Sequence, residues 1–297
     1  MEFTAKDVMK LREMSGAGMM DCKKALKESD GDMDKAMDYL REKSLAASAK
    51  KASRIAAEGI VDCFVCEKCG VGVIIEVNCE TDFVAKTDDF KNLVRSLAKQ
   101  VAKFNPASVE EMMAQPYIED ENMTVDAAVN AAVAKIGEKI SIRRFNRVEG
   151  IVDTYVHLGG KIGVLLQISN KDYPEAAHDV AMQIAAASPN CISKADCNQE
   201  DVEHERRILI EQAKNEPKPK PKPQAIIEKM VEGRIEKYYK EVCLLEQPFV
   251  KNQDESVGQM INGRFEVISF TRYTMGEGLE KRQDNFADEV MAQTKKA

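Results

Sequence analysis

The chain has 297 residues, 44% of them apolar and 31% charged, long enough for a sizeable core with appendages and too balanced for a collagen-like or low-complexity chain. Its 43 Lys and Arg stand against 50 Asp and Glu, a formal charge of -7, which argues against broad attraction to nucleic acid or an anionic membrane. No stretch approaches the roughly 18 consecutive apolar residues of a membrane span, and Glu2 and Asp7 interrupt the start where a signal peptide is apolar. A cytoplasmic protein is expected, with no direct nucleic-acid partner and no membrane.

Val8 and Leu11, then Cys22, Ala25 and Leu26, then Met33, Ala36, Met37 and Leu40 set three helical stripes, separated by Ser15-Gly16-Ala17-Gly18 and Asp30-Gly31-Asp32. Residues 1–45 therefore predict a three-helix module. The following stretch carries Lys43, Lys50, Lys51 and Arg54 without interleaved aromatics, so 46–58 reads as a solvated helical linker rather than a nucleic-acid arm.

An internal repeat organises the centre. Gly59-Ile60-Val61-Asp62 recurs as Gly150-Ile151-Val152-Asp153, and the run from Gly72 to Val77 recurs from Gly163 to Ile168, both at an offset of 91. Further on, the run from Ala98 to Ala102 matches that from Ala181 to Ala185, and Pro106 matches Pro189, at an offset of 83. Each copy predicts a β-hairpin followed by a helix, with Leu93, Val94, Leu97 and Val101 on one apolar stripe and Ala177, Val180, Ala181 and Ile184 on the other. Residues 140–145 and 264–274 supply a third strand to each half, and Thr124 caps a helix through Val125, Val129 and Val133. The fold class expected is α+β: a duplicated core with antiparallel sheets, its first half at 59–149 and its second at 150–192 and 246–275. A helical hairpin inserted at 193–245 breaks at the Pro-Lys run ending in Pro223. The segment 276–297 predicts a terminal amphipathic helix with Leu279, Phe286 and Val290 as contact residues.

The change of offset means that the first copy carries eight extra residues, which are expected between Asn78 and Asp88. The second copy makes the same connection without them, so the scaffold does not need them. A dispensable loop carrying Phe83 beside Asp82 is a functional candidate, although Phe83 and Val84 could equally staple the loop to its own helix.

Chemistry-bearing patterns are otherwise sparse. Cys63, Cys66 and Cys69 run C-x2-C-x2-C with Cys79 following, a thiol set that suits zinc if it converges. Strand alternation instead sends Cys63 and Cys66 to opposite faces, so no metal is expected there, and the eight cysteines of a chain without an export signal are expected as reduced thiols. No phosphate-binding G-x4-G-K-[ST] loop occurs, and His157, His178 and His204 are isolated packing or surface residues. No catalytic residues and no cofactor are assigned.

The stretches 11–26 (LREMSGAGMMDCKKAL), 76–86 (EVNCETDFVAK), 135–138 (KIGE) with 142–144 (IRR), and 229–234 (KMVEGR) followed by 247–249 (QPF) together resemble the bacterial translation elongation factor Ts family over essentially the whole chain. The resemblance implies a guanine-nucleotide exchange factor for elongation factor Tu, not an enzyme of covalent chemistry. It also implies a ubiquitin-associated-like N-terminal module, a duplicated core, a helical hairpin and a C-terminal helical module. By resemblance Thr81, Asp82, Phe83 and Val84 form the loop that enters the partner's G domain, the ring filling an apolar pocket while the loop disturbs the magnesium and phosphate site. Arg12, Met19 and Met20 are then contacts of the N-terminal module with the same domain, and Phe286 a third contact. A homodimer, or a heterotetramer with the partner, stays open. So does the alternative of a non-catalytic adaptor that binds another protein through its three-helix module. The cysteine cluster at 63–69 is foreign to the family's pattern.

Overall fold

The computed structural model describes residues 3–215 and 223–280. Thr4 closes a capping box with Asp7 at the start of α1 (Ala5–Ser15), and Gly16, in the left-handed region at φ 65°, ends it. After α2 (Met19–Glu28), Asp32 accepts the Asp34 and Lys35 amides to start α3 (Met33–Lys51). Leu11, Cys22, Ala25, Leu26 and Ala36 fill the module's core, as their spacing requires. Helix α3 runs unbroken to Lys51, so the stretch read as a linker begins as the end of that helix.

The first core half follows in the order β1 (Glu58–Cys66), β2 (Val71–Cys79), α4 (Asp82–Ala85), α5 (Asp88–Phe104), α6 (Val109–Ala114), the short hairpin β3 (Pro116–Tyr117) and β4 (Asp120–Thr124), α7 (Val125–Ile136) and β5 (Ser141–Glu149). The second half gives β6 (Ile151–His157), β7 (Ile162–Ile168), α8 (Pro174–Ala187), the helical hairpin α9 (Gln199–Asn215) and α10 (Gln224–Val242), β8 (Pro248–Phe249), β9 (Asn252–Ser256), α11 (Val257–Ile261) and β10 (Val267–Thr274). The sheets run β1-β2-β5 and β10-β7-β6, antiparallel throughout. The architecture is α+β, as expected. No helix among the described residues is long and apolar enough to cross a membrane.

The duplication extends beyond what the sequence displays. Buried Gln100 donates through Nε2 to Gln115 Oε1 and the Pro116 carbonyl at 3.2 and 3.0 Å, and its Oε1 accepts the Ile118 amide at 2.8 Å. Buried Gln183 repeats the pattern with Gln247, Pro248 and the Val250 amide at 3.1, 3.2 and 2.8 Å. Each glutamine satisfies all its polar contacts in an apolar interior, and each pins a short hairpin to the core.

The two sheets pack against each other. Val71, Val73, Ile75 and Val77 of β2 face the helices, while Ile74 meets Val61, Cys63 and Leu165 between the sheets. Strand β2 is therefore buried along its whole length. Small residues permit the approach: a Cβ on Gly72 would sit 2.6 Å from Leu165 Cδ1, and one on Gly160 would sit 2.8 Å from Ile60 Cβ. Gly160 is thus more than a turn residue, since its carbonyl also accepts the Val61 amide at 2.8 Å. On the same inter-sheet face the fully buried Glu76 accepts Arg143 Nη1 at 3.0 Å, Arg144 Nε at 2.7 Å and the Gly276 amide at 2.8 Å. That network ties the turn after β10 to the first sheet.

Three sequence expectations change. Gln100 is the thirteenth residue of α5 and Gln183 the tenth of α8, so three of the eight surplus residues lengthen the helix by almost a turn and only five lengthen the loop. The thiols are not all reduced: Cys66 pairs with Cys69 at the β1–β2 turn and Cys191 with Cys197, each with Cα atoms 5.3 Å apart, a separation suited to a disulfide. The tail from Gly276 turns rather than starting a helix, with the Leu279 amide donating to the Gly276 carbonyl at 3.1 Å; Phe286 and Val290 lie outside the described residues, as does most of the proline run before Pro223.

Candidate functional site

Strand β2 ends at Cys79, and the chain leaves the sheet through Glu80 into a single helical turn, α4. Thr81 is the N-cap of that turn, its Oγ1 accepting the Val84 amide at 3.3 Å. Glu138, just past the Gly137 end of α7, fixes the turn from outside. Its Oε2 accepts the Glu80 and Thr81 amides at 3.1 and 3.0 Å, and its Oε1 accepts the Thr81 hydroxyl at 2.7 Å. Glu80 replies by accepting the Lys139 amide at 2.6 Å and pairs with Arg54 at 3.3 Å. Thr87 closes the far end, donating from Oγ1 to the Val84 carbonyl at 2.7 Å and capping α5.

The four predicted loop residues divide by this geometry. Thr81 is half-buried and its hydroxyl is engaged, and Val84 packs against the first core beside buried Ala85. Asp82 and Phe83 point outward. Phe83 is 78% exposed, the most exposed large apolar side chain among the described residues, so it does not staple the loop. Asp82 accepts Lys86 Nζ at 2.6 Å one turn on, and that hydrogen bond holds its carboxyl below the ordinary carboxylate range. Phe83 thus stands on a hydrogen-bonded pedestal with the Asp82–Lys86 ion pair next to it, the Lys86 ammonium 6.0 Å from the ring centroid.

In the N-terminal module, Arg12, Met19 and Met20 are all exposed, with Met20 at 74%. Neither methionine belongs to the module's core, where Cys22, Ala25 and Leu26 serve instead. Helix α3 packs against α7, and this brings the α1–α2 turn towards the loop. A shallow cleft of about 190 Å³ separates Ser15 and Gly16 from Asp89, Lys135 and Ile136. Its walls are the turn that leads into Met19, the C-terminal half of α7 and, from the first turn of the helix that follows Phe83, Asp89.

The thiols at 63–79 do not converge. Cys63 lies between the sheets, donating to the Val164 carbonyl at 3.5 Å, whereas Cys79 lies on the helix side, donating to the Thr81 carbonyl at 3.2 Å. Burial pushes the Cys63 thiol far up and the Cys79 thiol up to about 12, so neither is a ready thiolate. Glu138 is the residue that sequence reasoning missed as part of the site. It belonged to a recognisable motif, but only the three-dimensional return of α7 beside β2 shows what its carboxylate holds.

A family model described as elongation factor TS matches residues 80–277, from the first residue of this loop through the turn bound by Glu76. Two thirds of the chain is covered, including the loop, strand β5 of the first sheet and all of the second, and the chain belongs to the elongation factor Ts family of translation elongation factors.

Proposed function

We propose that the chain is the nucleotide exchange factor of elongation factor Tu, and that Phe83 is the group it inserts into the partner's G domain. The observation that carries this reading is a large apolar ring, 78% exposed, on a turn held by Glu138, Thr81 and Thr87. Leaving the ring in water forgoes about 2–3 kcal/mol of burial energy in the free protein, and a partner that covers it recovers that energy on docking. The clamp fixes the backbone beforehand, so little ordering remains to be done on docking. Asp82 brings a carboxylate, a hard oxygen ligand of the kind magnesium takes, to the edge of the nucleotide site. Met19 and Met20 offer flexible apolar side chains to the same domain across the cleft, and Arg12 is exposed on the same module, so residues 1–45 act as a second docking module.

No acid or base is required. A protein that binds the nucleotide-free partner more tightly than its GDP form weakens GDP by the same factor, and each ~1.4 kcal/mol of that coupling is worth about tenfold. GTP in excess then refills the site and displaces the factor. The test is stopped-flow release of a fluorescent GDP from elongation factor Tu. Wild-type chain at micromolar concentration accelerates release, and Phe83→Ala loses about tenfold or more of that acceleration. Full acceleration by Phe83→Ala, or none by the wild type, contradicts the assignment; binding to a partner other than the GTPase, retained when residues 79–86 are deleted, favours the adaptor.

A further inference from the structure

The helical hairpin α9–α10 leaves the core after α8 and returns at β8, and at its root three buried cysteines meet. Cys191 lies on the outgoing chain, Cys197 immediately before α9 and Cys243 immediately after α10. The backbone there is rigid. Cys191 and Cys243 form a β-bridge, the Asn190 amide donates to the Val242 carbonyl at 2.8 Å and the Leu244 amide to the Cys191 carbonyl at 2.9 Å. Cys243 Sγ lies 3.4 Å from Cys191 Sγ and 3.1 Å from Cys197 Sγ, and the three sulfurs lie within 4.8 Å of one another. Val202, Tyr238 and Tyr239 enclose them.

A disulfide between Cys191 and Cys197 uses two of these sulfurs and leaves the third with only sulfur in hydrogen-bonding range. Three soft donors brought to one buried point from chain segments about fifty residues apart are what a thiophilic d10 cation takes, and zinc accepts such sets at Zn–S distances near ~2.3 Å. We propose that in the reduced chain Cys191, Cys197 and Cys243 hold one zinc ion, clamping the root of the helical hairpin to the core. No His or carboxylate of the described residues joins the three at that spacing, so a water takes the fourth position. A phosphine or dithiol reductant first delivers two electrons, and solvent two protons, to the Cys191–Cys197 pair, breaking the S–S bond to give two thiols; on binding, each of the three thiols then loses its proton to solvent and becomes a thiolate ligand. Lys194 reaches the same root, but its ammonium is paired with Glu236 at 2.8 Å and Glu246 at 3.8 Å, so the charge of the thiolates is met by the metal ion itself.

The test uses the full chain reduced with a phosphine, loaded with zinc, desalted and measured by elemental analysis and by alkylation mapped by mass spectrometry. The expected result is about one equivalent of zinc, with alkylation of Cys191, Cys197 and Cys243 slowed about tenfold by the metal and that of Cys66 and Cys69 unchanged. Cobalt in place of zinc gives the tetrahedral visible bands of a thiolate site. A Cys66→Ser, Cys69→Ser variant keeps its zinc, and Cys243→Ser loses it. Zinc absent from the reduced chain, equal zinc in Cys243→Ser, or protection falling on Cys66 and Cys69 overturns the proposal; the alkylation pattern of the unsubstituted chain decides even where a variant fails to fold.

Discussion

Glu138 grips Thr81 with both carboxylate oxygens, one on its amide at 3.0 Å and the other on its hydroxyl at 2.7 Å. The pair spans 57 residues of chain and holds the pedestal of Phe83 without touching the ring. Replacing Glu138 by Ala leaves the Glu80 and Thr81 amides half-buried and unmet, at a cost of about 1–2 kcal/mol. Glu138→Gln, which keeps one acceptor oxygen, costs less. The urea midpoint reports the stability change, and amide hydrogen exchange at residues 80–86 rises in the Ala variant. GDP release from elongation factor Tu slows in step with that exchange if the clamp is what preorganises the loop.

Two phenylalanines seven residues apart are expected to behave in opposite ways. Phe90 is fully buried in the added first turn of α5, whereas Phe83 is 78% exposed. Phe90→Ala opens a cavity in the first core and costs about 3–5 kcal/mol, while Phe83→Ala changes stability by less than about 0.5 kcal/mol. Thermal and urea unfolding check both. A large loss of stability in Phe83→Ala places the ring inside its own subunit and removes the reason for the docking role proposed for it.

Much of this arrangement was legible because the duplication printed itself twice. The matched Gly-Val-Ile-Ile and Gly-Val-Leu-Leu runs gave both sheets, and the change of offset singled out the loop. What could not be read is what crosses between distant segments. Asp62 pairs with Arg95 at 3.3 Å, and the matched positions Asp153 and His178 pair at 3.3 Å in the second half; an isolated histidine in the sequence is, in the fold, the counterpart of an arginine. Glu138 and the meeting of Cys191, Cys197 and Cys243 were hidden for the same reason, since their partners lie about fifty residues or more away in the chain. The thirteen-residue count to Gln100 in α5 was invisible because a helix gains a turn without any change in its periodicity.

Gly163 tests the face-to-face packing of the sheets. A Cβ there would overlap Val61 Cγ1 and lie 3.3 Å from Val61 Cβ and from Ile74 Cδ1. Valine is stiff at χ1 and held in the inter-sheet layer with Cys63 and Leu165, so it cannot simply rotate away. Gly163→Ala is expected to cost about 1–3 kcal/mol by overpacking, and the combination with Val61→Ala to recover part of the loss, measured as a double-mutant cycle in urea. Simple additivity of the two losses would mean that the sheets are not in contact through this pair.

Asp62 sets a pH dependence whose sign can be stated. Burial raises its carboxyl above the ordinary range, and the Arg95 guanidinium and the Cys63 amide only partly oppose this. Through the window from about pH 4, the ordinary carboxylate value, up to the raised folded value, the folded chain binds more protons at this site than the unfolded chain, so this residue's contribution to stability falls as pH rises. Asp62→Asn removes the ionisation and keeps an oxygen for the Cys63 amide, which donates to Asp62 at 2.9 Å. The half-exposed Arg95 side chain, 47% accessible, can turn to water. The variant is therefore expected to gain stability relative to wild type at pH 7 and to lose that gain below about pH 4. Urea midpoints of the two proteins at both pH values measure it. A gap that widens on acidification instead would show that the Arg95 pair outweighs burial and that the carboxyl sits below its ordinary range.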